Sequence, residues 1–458
     1  MPRRISVVGL GKLGASMAAA IASRGHDVIG VDVSQRAVDR LNAGEAPVQE
    51  TGLQELIAAN RPRLEATLSH EHAVLDSELT FVIVPTPSDD RGAFSIQYAT
   101  YAFRQIGKAL AKKAGYHTVV LTSTVLPGAT RYGLTPVLEQ SSGKTCGADF
   151  GLCYSPEFVA LGSVIRDFLN PDFLLVGQFD QRSGEHLNQC YNEIMLGHPP
   201  VARMSIENAE LAKVAVNAFL TTKITFANLL AELCGRIPGA DVDVVSAAIG
   251  LDSRIGRKYL TGGLGFGGPC LPRDNVAFGF VASSLGVAAD LFLTTDRLNR
   301  SGADRVVKQL HARFGPGMTI GILGLAFKPF SHITEESQAM LIAKAFLEYG
   351  ARVVGYDPLA RDGAHHDLGG RMLVLDSARA CLGQAELVLI ATPDPEFKHL
   401  AADDFTEGGK RRTVIDFWRA LPPDVASDPR IDYIAYGRAD LDTGGEQILK
   451  SLWSEHAR

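Results

Sequence analysis

The sequence predicts an α/β protein: two Rossmann-like, doubly wound parallel-sheet domains joined by a central helical domain with a long helix. Three observations carry this. A buried strand enters a glycine turn at residue 9, the same order of strand, glycine, strand and acid recurs from residue 319, and strand signals vanish between about 203 and 310. The expected domains are therefore 1–202, 203–310 and 311–458.

Ile5-Ser6-Val7-Val8 reads as the first strand and leads into Gly9-Leu10-Gly11-Lys12-Leu13-Gly14, after which an alanine-rich amphipathic helix begins. A second strand, Val28-Ile29-Gly30-Val31, ends in Asp32, placed to hydrogen-bond a ribose 2′-hydroxyl. A bare glycine triplet is a weak signal; strand, helix and acid in the right order make it a dinucleotide site, and the acid favours NAD over NADP. Phe81-Val82-Ile83-Val84 and Val119-Val120-Leu121-Thr122 continue the sheet. In the C-terminal half the matching runs are Thr319–Gly324, Arg352–Asp357, Leu387–Pro393 and Thr413–Asp416, all read as parallel βαβ units.

Composition bounds the partners. The chain has 458 residues, 46% of them hydrophobic, which is enough for several cores, and a net charge of −6 without a long basic run. That argues against nucleic acid and against a polybasic membrane surface. The first strand begins too early to follow a signal peptide and no apolar stretch reads as bilayer-spanning, so a cytoplasmic protein is expected. The six cysteines show no CxxC spacing and no histidine pattern, which indicates neither a disulfide framework nor a metal site.

Between the sheets, Ser205–Leu211 opens a helical stretch. Lys213, Asn217 and Thr221 follow at four-residue spacing and share a face. The residues around them are apolar nearly all round, predicting a buried helix whose lysine and asparagine need partners, which a ligand could supply. Further on, Cys270 lies in Gly265-Phe266-Gly267-Gly268-Pro269-Cys270-Leu271-Pro272-Arg273-Asp274, where a flexible glycine loop runs into a helix start. Prolines suit a first helical turn, and the unpaired N–H groups there, with Arg273 adjacent, favour a thiolate. The plain alternative is a small buried cysteine.

These motifs, with Ala209–Phe219, Ser123-Thr124-Val125-Leu126-Pro127-Gly128 and Ser155-Pro156-Glu157-Phe158, resemble the UDP-glucose/GDP-mannose dehydrogenase family over nearly the whole chain. The resemblance implies oxidation of the C6 alcohol of a nucleotide sugar, most simply a UDP-hexose, to the uronate with two NAD per turnover. It implies Cys270 as nucleophile, Lys213 and Asn217 as oxyanion stabilisers, Lys213 or an Asp274-linked water as acceptor of the alcohol proton, and Glu157 with Thr124 positioning the hydrolytic water. For the cofactor it implies Gly9, Gly11, Lys12, Leu13, Gly14, Asp32, Thr86, Thr124 and Arg273. For the substrate it implies Glu157, Phe158, Lys213, Asn217, Gly263, Phe266, Gly267, Lys328 and Arg419, with Arg254 from a neighbouring subunit and hence a homodimer.

Three positions depart from the family pattern. Leu161 replaces an acid, Glu335 replaces an arginine, and Phe417-Trp418-Arg419 replaces a Gly-Arg pair. The first two read as one coupled change; at the third, Arg419 would substitute from the next position or Trp418 would stack on a base. Two other classes remain open here: a two-electron hydroxyacid-type dehydrogenase and a catalytically silent nucleotide-sugar-binding paralogue. NADH yields of two, one or none per sugar separate the three.

Overall fold

The computed structural model describes residues 2–310, 313–409, 411–439 and 445–456. Residues 311 and 458, the bounds expected for the C-terminal domain, lie outside the described residues. The chain forms two compact units: residues 1–216 with 280–285, and residues 217–279 with 286–458.

In the first unit eight strands make one sheet: β1 (Arg4–Val8), β2 (Asp27–Val31), β3 (Leu64–Thr67), β4 (Leu79–Val82), β5 (Thr118–Leu121), β6 (Gly151–Tyr154), β7 (Leu174–Gln178) and β8 (Val201–Ser205). They lie in the order β3-β2-β1-β4-β5-β6-β7-β8. The first six strands therefore take the dinucleotide-binding order, with the switch point between β1 and β4. Two details correct the sequence reading. β6 and β7 pair antiparallel, Cys153 against Gln178, inside an otherwise parallel sheet. An apolar run such as Leu174-Leu175-Val176 is buried either way, so pairing direction leaves no mark on it. Strand character also persists through Ser205, beyond the expected boundary at 203.

The second unit repeats the order with β9 (Thr319–Leu323), β10 (Arg352–Tyr356), β11 (Leu373–Val374), β12 (Leu387–Ile390), β13 (Thr413–Asp416) and β14 (Asp432–Ala435), arranged β11-β10-β9-β12-β13-β14. The internal repeat extends to packing. Leu10, after the first turn glycine, seats on Gly30 of β2, where a Cβ would come within 2.7 Å of its Cδ2. Leu325 seats on Gly355 of β10 in the same way, at 3.0 Å.

The two sheets differ where a ligand would meet them. A helix begins at Lys12, three residues after Gly9, but the corresponding helix begins only at Gln338, fourteen residues after Gly324. Ala326 stands where the first turn has Gly11. Asp357, matching Asp32, is buried and accepts four backbone N–H bonds, from Leu325 and Ala326 on one oxygen and Leu359 and Ala360 on the other.

Helix Ile206–Cys234 carries the chain from one unit into the other. It is not buried all round as expected: Leu211, Phe219, Phe226 and Leu233 are 42 to 66% exposed and recur every seven or eight residues along one face. By length and composition alone this helix could cross a bilayer, which corrects the expectation that no stretch could. It also carries Glu207, Glu210, Lys213, Lys223 and Glu232, and its other face is buried. Within the second unit, Ala231 and Cys234 of this helix join Val242, Leu264, Phe417 and Tyr436 in the core under β9 to β14.

Candidate active site

Each glycine of the first turn has its own reason. Gly9 has φ +98° and no room for a Cβ beneath the Ile83 carbonyl, and a Cβ on Gly14 would collide with the Gly9 carbonyl. Gly11 differs: a side chain there would meet nothing within 4 Å. It lies at the N-cap of helix Lys12–Ser23, which has no side-chain cap, so the helix N-terminus is open to an anion that needs close backbone approach. Asp32 accepts from Leu10 N (2.7 Å) and Ser34 N (2.8 Å), which fixes its carboxylate at the end of β2. These residues fit NAD. We expect kcat/KM at least tenfold higher with NAD than with NADP, about 1.4 kcal/mol, because Asp32 would repel a 2′-phosphate. Equal efficiency with both would mean that Asp32 faces elsewhere.

Still in the first unit, Thr86 donates its hydroxyl to the Thr124 carbonyl (2.8 Å), tying the turn after β4 to the Ser123–Gly128 loop. Glu210, buried in helix Ile206–Cys234, accepts from Gly128 N (2.6 Å) and Thr130 N (2.9 Å) and bolts that loop to the helix. Glu210 leaves no signal in the sequence beyond its place in the helix. One turn on, Lys213 donates to the Glu157 carbonyl (2.6 Å) and its ammonium lies 4.2 Å from the Phe158 ring centre. The lysine is thus partnered by protein. Its bond brings Lys213, Glu157 and Phe158 together. Burial pushes the Glu157 carboxyl up to about 7, against the opposing charge of Lys213.

The second unit holds the cysteine. Helix Leu271–Ser284 begins immediately after Cys270, whose carbonyl accepts from Asp274 N (2.8 Å). Asp274 is buried and bridges two groups: Asn217 Nδ2 reaches one oxygen at 2.7 Å and Arg273 the other at 3.1 Å. Thr221, one turn beyond Asn217, bonds Asn275 at 3.1 Å. The polar face read from the sequence therefore laces the long helix to the cysteine helix. Cys270 is exposed, whereas Cys146, Cys153, Cys190, Cys234 and Cys381 are buried. Burial pushes the thiols of Cys146, Cys153, Cys190 and Cys381 up to about 12. Iodoacetamide should accordingly label the native protein once, at Cys270; equal labelling of a second cysteine would contradict this contrast.

The glycine loop is closely packed and hydrogen-bonded, where the sequence reading expects glycines chosen for flexibility. Among Gly262, Gly263, Gly265, Gly267 and Gly268 only Gly268 has positive φ, at +78°. The rest are glycine because neighbours press on them: a Cβ on Gly263 would sit 2.9 Å from the Phe417 carbonyl and 3.1 Å from the Trp418 ring. A Cβ on Gly267 would collide with the backbone of Glu336. Gly268 N donates to the Glu335 carbonyl (3.0 Å), so the segment that departs from the family pattern braces the cysteine loop through its backbone. Phe327, next to Lys328, packs its ring against Gly268.

Other expected contacts are placed as follows. Arg254 is exposed and bonds Asp252 at 2.6 Å, on a loop tethered by Lys223 to the Ile255 carbonyl (3.1 Å). Arg419, at φ +52°, makes a two-point pair with Asp241 at 2.8 and 2.9 Å and reaches Asp243 at 3.0 Å. Trp418 donates to the Ala391 carbonyl (2.8 Å). Among the described residues no cluster suited to a metal ion occurs.

A dinucleotide-binding sheet in the first unit and, in the second, an exposed cysteine at a helix start with the Asn217–Asp274 pair are the features of an oxidoreductase. The chain matches three successive sequence profiles of the UDP-glucose/GDP-mannose dehydrogenase family: the NAD-binding domain over residues 3–195, the central domain over 207–301 and the UDP-binding domain over 321–423. It belongs to that family and is an NAD-dependent nucleotide-sugar dehydrogenase. It is 38% identical to a UDP-glucose 6-dehydrogenase, AglM, of Haloferax volcanii, over 90% of this chain and 96% of the relative. It is 32% identical to a GDP-mannose 6-dehydrogenase of Azotobacter vinelandii, over 92% and 98%. The solved UDP-glucose dehydrogenase of Pyrobaculum islandicum superposes with a TM-score of 0.86 at 34% identity, covering 96% of this chain and 98% of that one.

Proposed function

We propose that this chain oxidises the C6 alcohol of a UDP-hexose to the uronate through a covalent intermediate on Cys270. The observation that carries the reading is the exposed Cys270 at the start of helix Leu271–Ser284, whose carbonyl accepts from the N–H of Asp274, the residue bonded to Asn217 and Arg273. Gly9, Gly11, Lys12, Leu13, Gly14 and Asp32, with Thr86, Thr124 and Arg273, would hold NAD, which would supply the hydride acceptor for each of two oxidations.

The chain's own groups do the rest. Lys213 in its neutral form, or a water on Asp274, takes the alcohol proton in the first oxidation. An aldehyde has no second hydride to give until its carbonyl is added to, so the Cys270 sulfur attacks the carbon and the oxygen becomes an oxyanion. Lys213 and Asn217 stabilise that charge. Loss of hydride leaves a thioester. Water positioned by Glu157 and Thr124 then adds, the C–S bond breaks, and the acid departs with the thiol restored.

Phe158, Gly263, Phe266, Gly267 and Lys328 are assigned to the substrate. Arg419 is also assigned there, although its pair with Asp241 must be shared or exchanged for a phosphate. UDP is favoured over GDP by the UDP-glucose relatives named above. The exposed stripe Leu211, Phe219, Phe226 and Leu233 supports a homodimer in which the partner's loop supplies the arginine at position 254; the protein acts in the cytoplasm. The test is a screen of UDP-glucose, UDP-N-acetylhexosamines and GDP-mannose. Two NADH per UDP-hexose are expected. One NADH would indicate a two-electron dehydrogenase, and none with any sugar a silent binding protein.

A further inference from the structure

We propose that Asn228 and Asn299 are positioning residues for this oxidation: they clamp residues 263–266 of the glycine loop by two-point backbone contacts, so that the loop meets the nucleotide sugar in one fixed backbone conformation. The inference rests on the substrate role given above to the glycine loop.

Both asparagines make two-point contacts with loop backbone. Asn228, in helix Ile206–Cys234, accepts from Gly263 N at 3.0 Å and donates to the Leu264 carbonyl at 3.0 Å. Asn299, buried near the end of helix Asp290–Arg300, accepts from Phe266 N at 2.9 Å and donates to the Phe266 carbonyl at 2.9 Å. Gln338 adds a second donor to that carbonyl at 3.4 Å. A side-chain amide presents an acceptor and a donor side by side, as one residue of an extended strand does with its own C=O and N–H, and so can make a two-point contact with backbone.

The glycines are the other half of the device. A Cβ on Gly265 would collide with the Asn299 side chain, so the glycine is what admits the amide to the backbone. Gly263 is pressed by Phe417 and Trp418, and Gly267 by Glu336. The stretch is thus held by asparagines and bounded by backbone. It is ordered before any ligand arrives, which removes the cost of ordering it on binding. Packing alone does not require amides here, but apolar residues would leave the N–H groups of Gly263 and Phe266 without acceptors.

The test uses Asn228→Asp and Asn299→Asp, which keep the shape and the acceptor but replace the donor with a second oxygen facing a carbonyl. KM is measured with UDP-glucose, or with GDP-mannose if the screen selects it. We expect KM to rise at least tenfold and kcat to fall at least tenfold, with NAD affinity unchanged within twofold. Binding of the same nucleotide sugar without NAD, read by calorimetry, should weaken in parallel. That measurement does not use the thiol, so its result stands whether or not Cys270 is the nucleophile. Folded variants with kcat, KM and sugar affinity within twofold of wild type would overturn the proposal, as would a loss of thermal stability alone. If neither variant folds, hydrogen exchange on the wild-type protein decides. The Gly263 and Phe266 amides should be protected at least a hundredfold without ligand, and open-loop rates that slow only on adding the nucleotide sugar would overturn preordering.

Discussion

Cys270→Ala is expected to abolish formation of the acid, lowering kcat for uronate at least a thousandfold while nucleotide-sugar affinity stays within a fewfold of wild type. On the proposed route the variant lacks the atom that adds to the aldehyde, which leaves the second hydride without a donor, so the effect falls on turnover and not on binding. The measurement is NADH yield together with product mass. Wild type should give two NADH and the uronate, whereas the variant should give no uronate. Normal uronate production by Cys270→Ala would eliminate the thioester route for this chain.

Glu157→Gln should have the next largest effect, at a different step. Both hydride transfers remain possible, but water activation is lost, which typically costs about a hundred to ten thousandfold. Mass spectrometry should then find a sugar-nucleotide acyl adduct on Cys270. The buried carboxyl is pushed up to about 7. Below that pH it is protonated and cannot take a proton from water, so thioester release in the wild type should rise as pH passes through 7. The Gln variant should lose that limb. Stability moves the other way. A carboxyl whose folded pKa lies above its ordinary value near 4.5 contributes stability that is fully present below 4.5 and is lost as pH rises towards 7. Glu157→Gln should therefore gain thermal stability relative to wild type at pH 8 more than at pH 5. Absence of an adduct, with an unchanged pH profile, would remove Glu157 from the hydrolytic step.

Much of this was legible in the sequence because it is written in local grammar. Strand, glycine turn, helix, strand and Asp32 follow one another within the first 32 residues, and their repeat after Thr319 found the second sheet. Cys270 was legible from the prolines and glycines around it, and Lys213, Asn217 and Thr221 from their helical spacing. What was missed depends on distance along the chain. Glu210 reaches Gly128 across 82 residues, and Asn228 and Asn299 reach the glycine loop across 35 and 33. Such bonds impose no period on the sequence. The glycine loop was misread for a related reason: glycine reports equally on conformational freedom and on a neighbour that leaves no room for a Cβ, and only coordinates separate the two. The central helix reads as buried from sequence because an exposed apolar stripe and one facing a core have the same composition.

Asp357 bears on traffic through the enzyme. With both oxygens saturated by backbone N–H groups, and with Ala326 and a long loop where a glycine turn and helix start would be, the second sheet offers no berth for a dinucleotide equivalent to that of the first. On the proposed route both hydrides would then be taken up at the first sheet alone. Reduced cofactor would have to be exchanged for oxidised cofactor there between the two oxidations, with the half-oxidised sugar retained. An aldehyde scavenger such as hydroxylamine, added during turnover, should therefore intercept almost nothing, and the queue at the cofactor berth sets the order in which products appear.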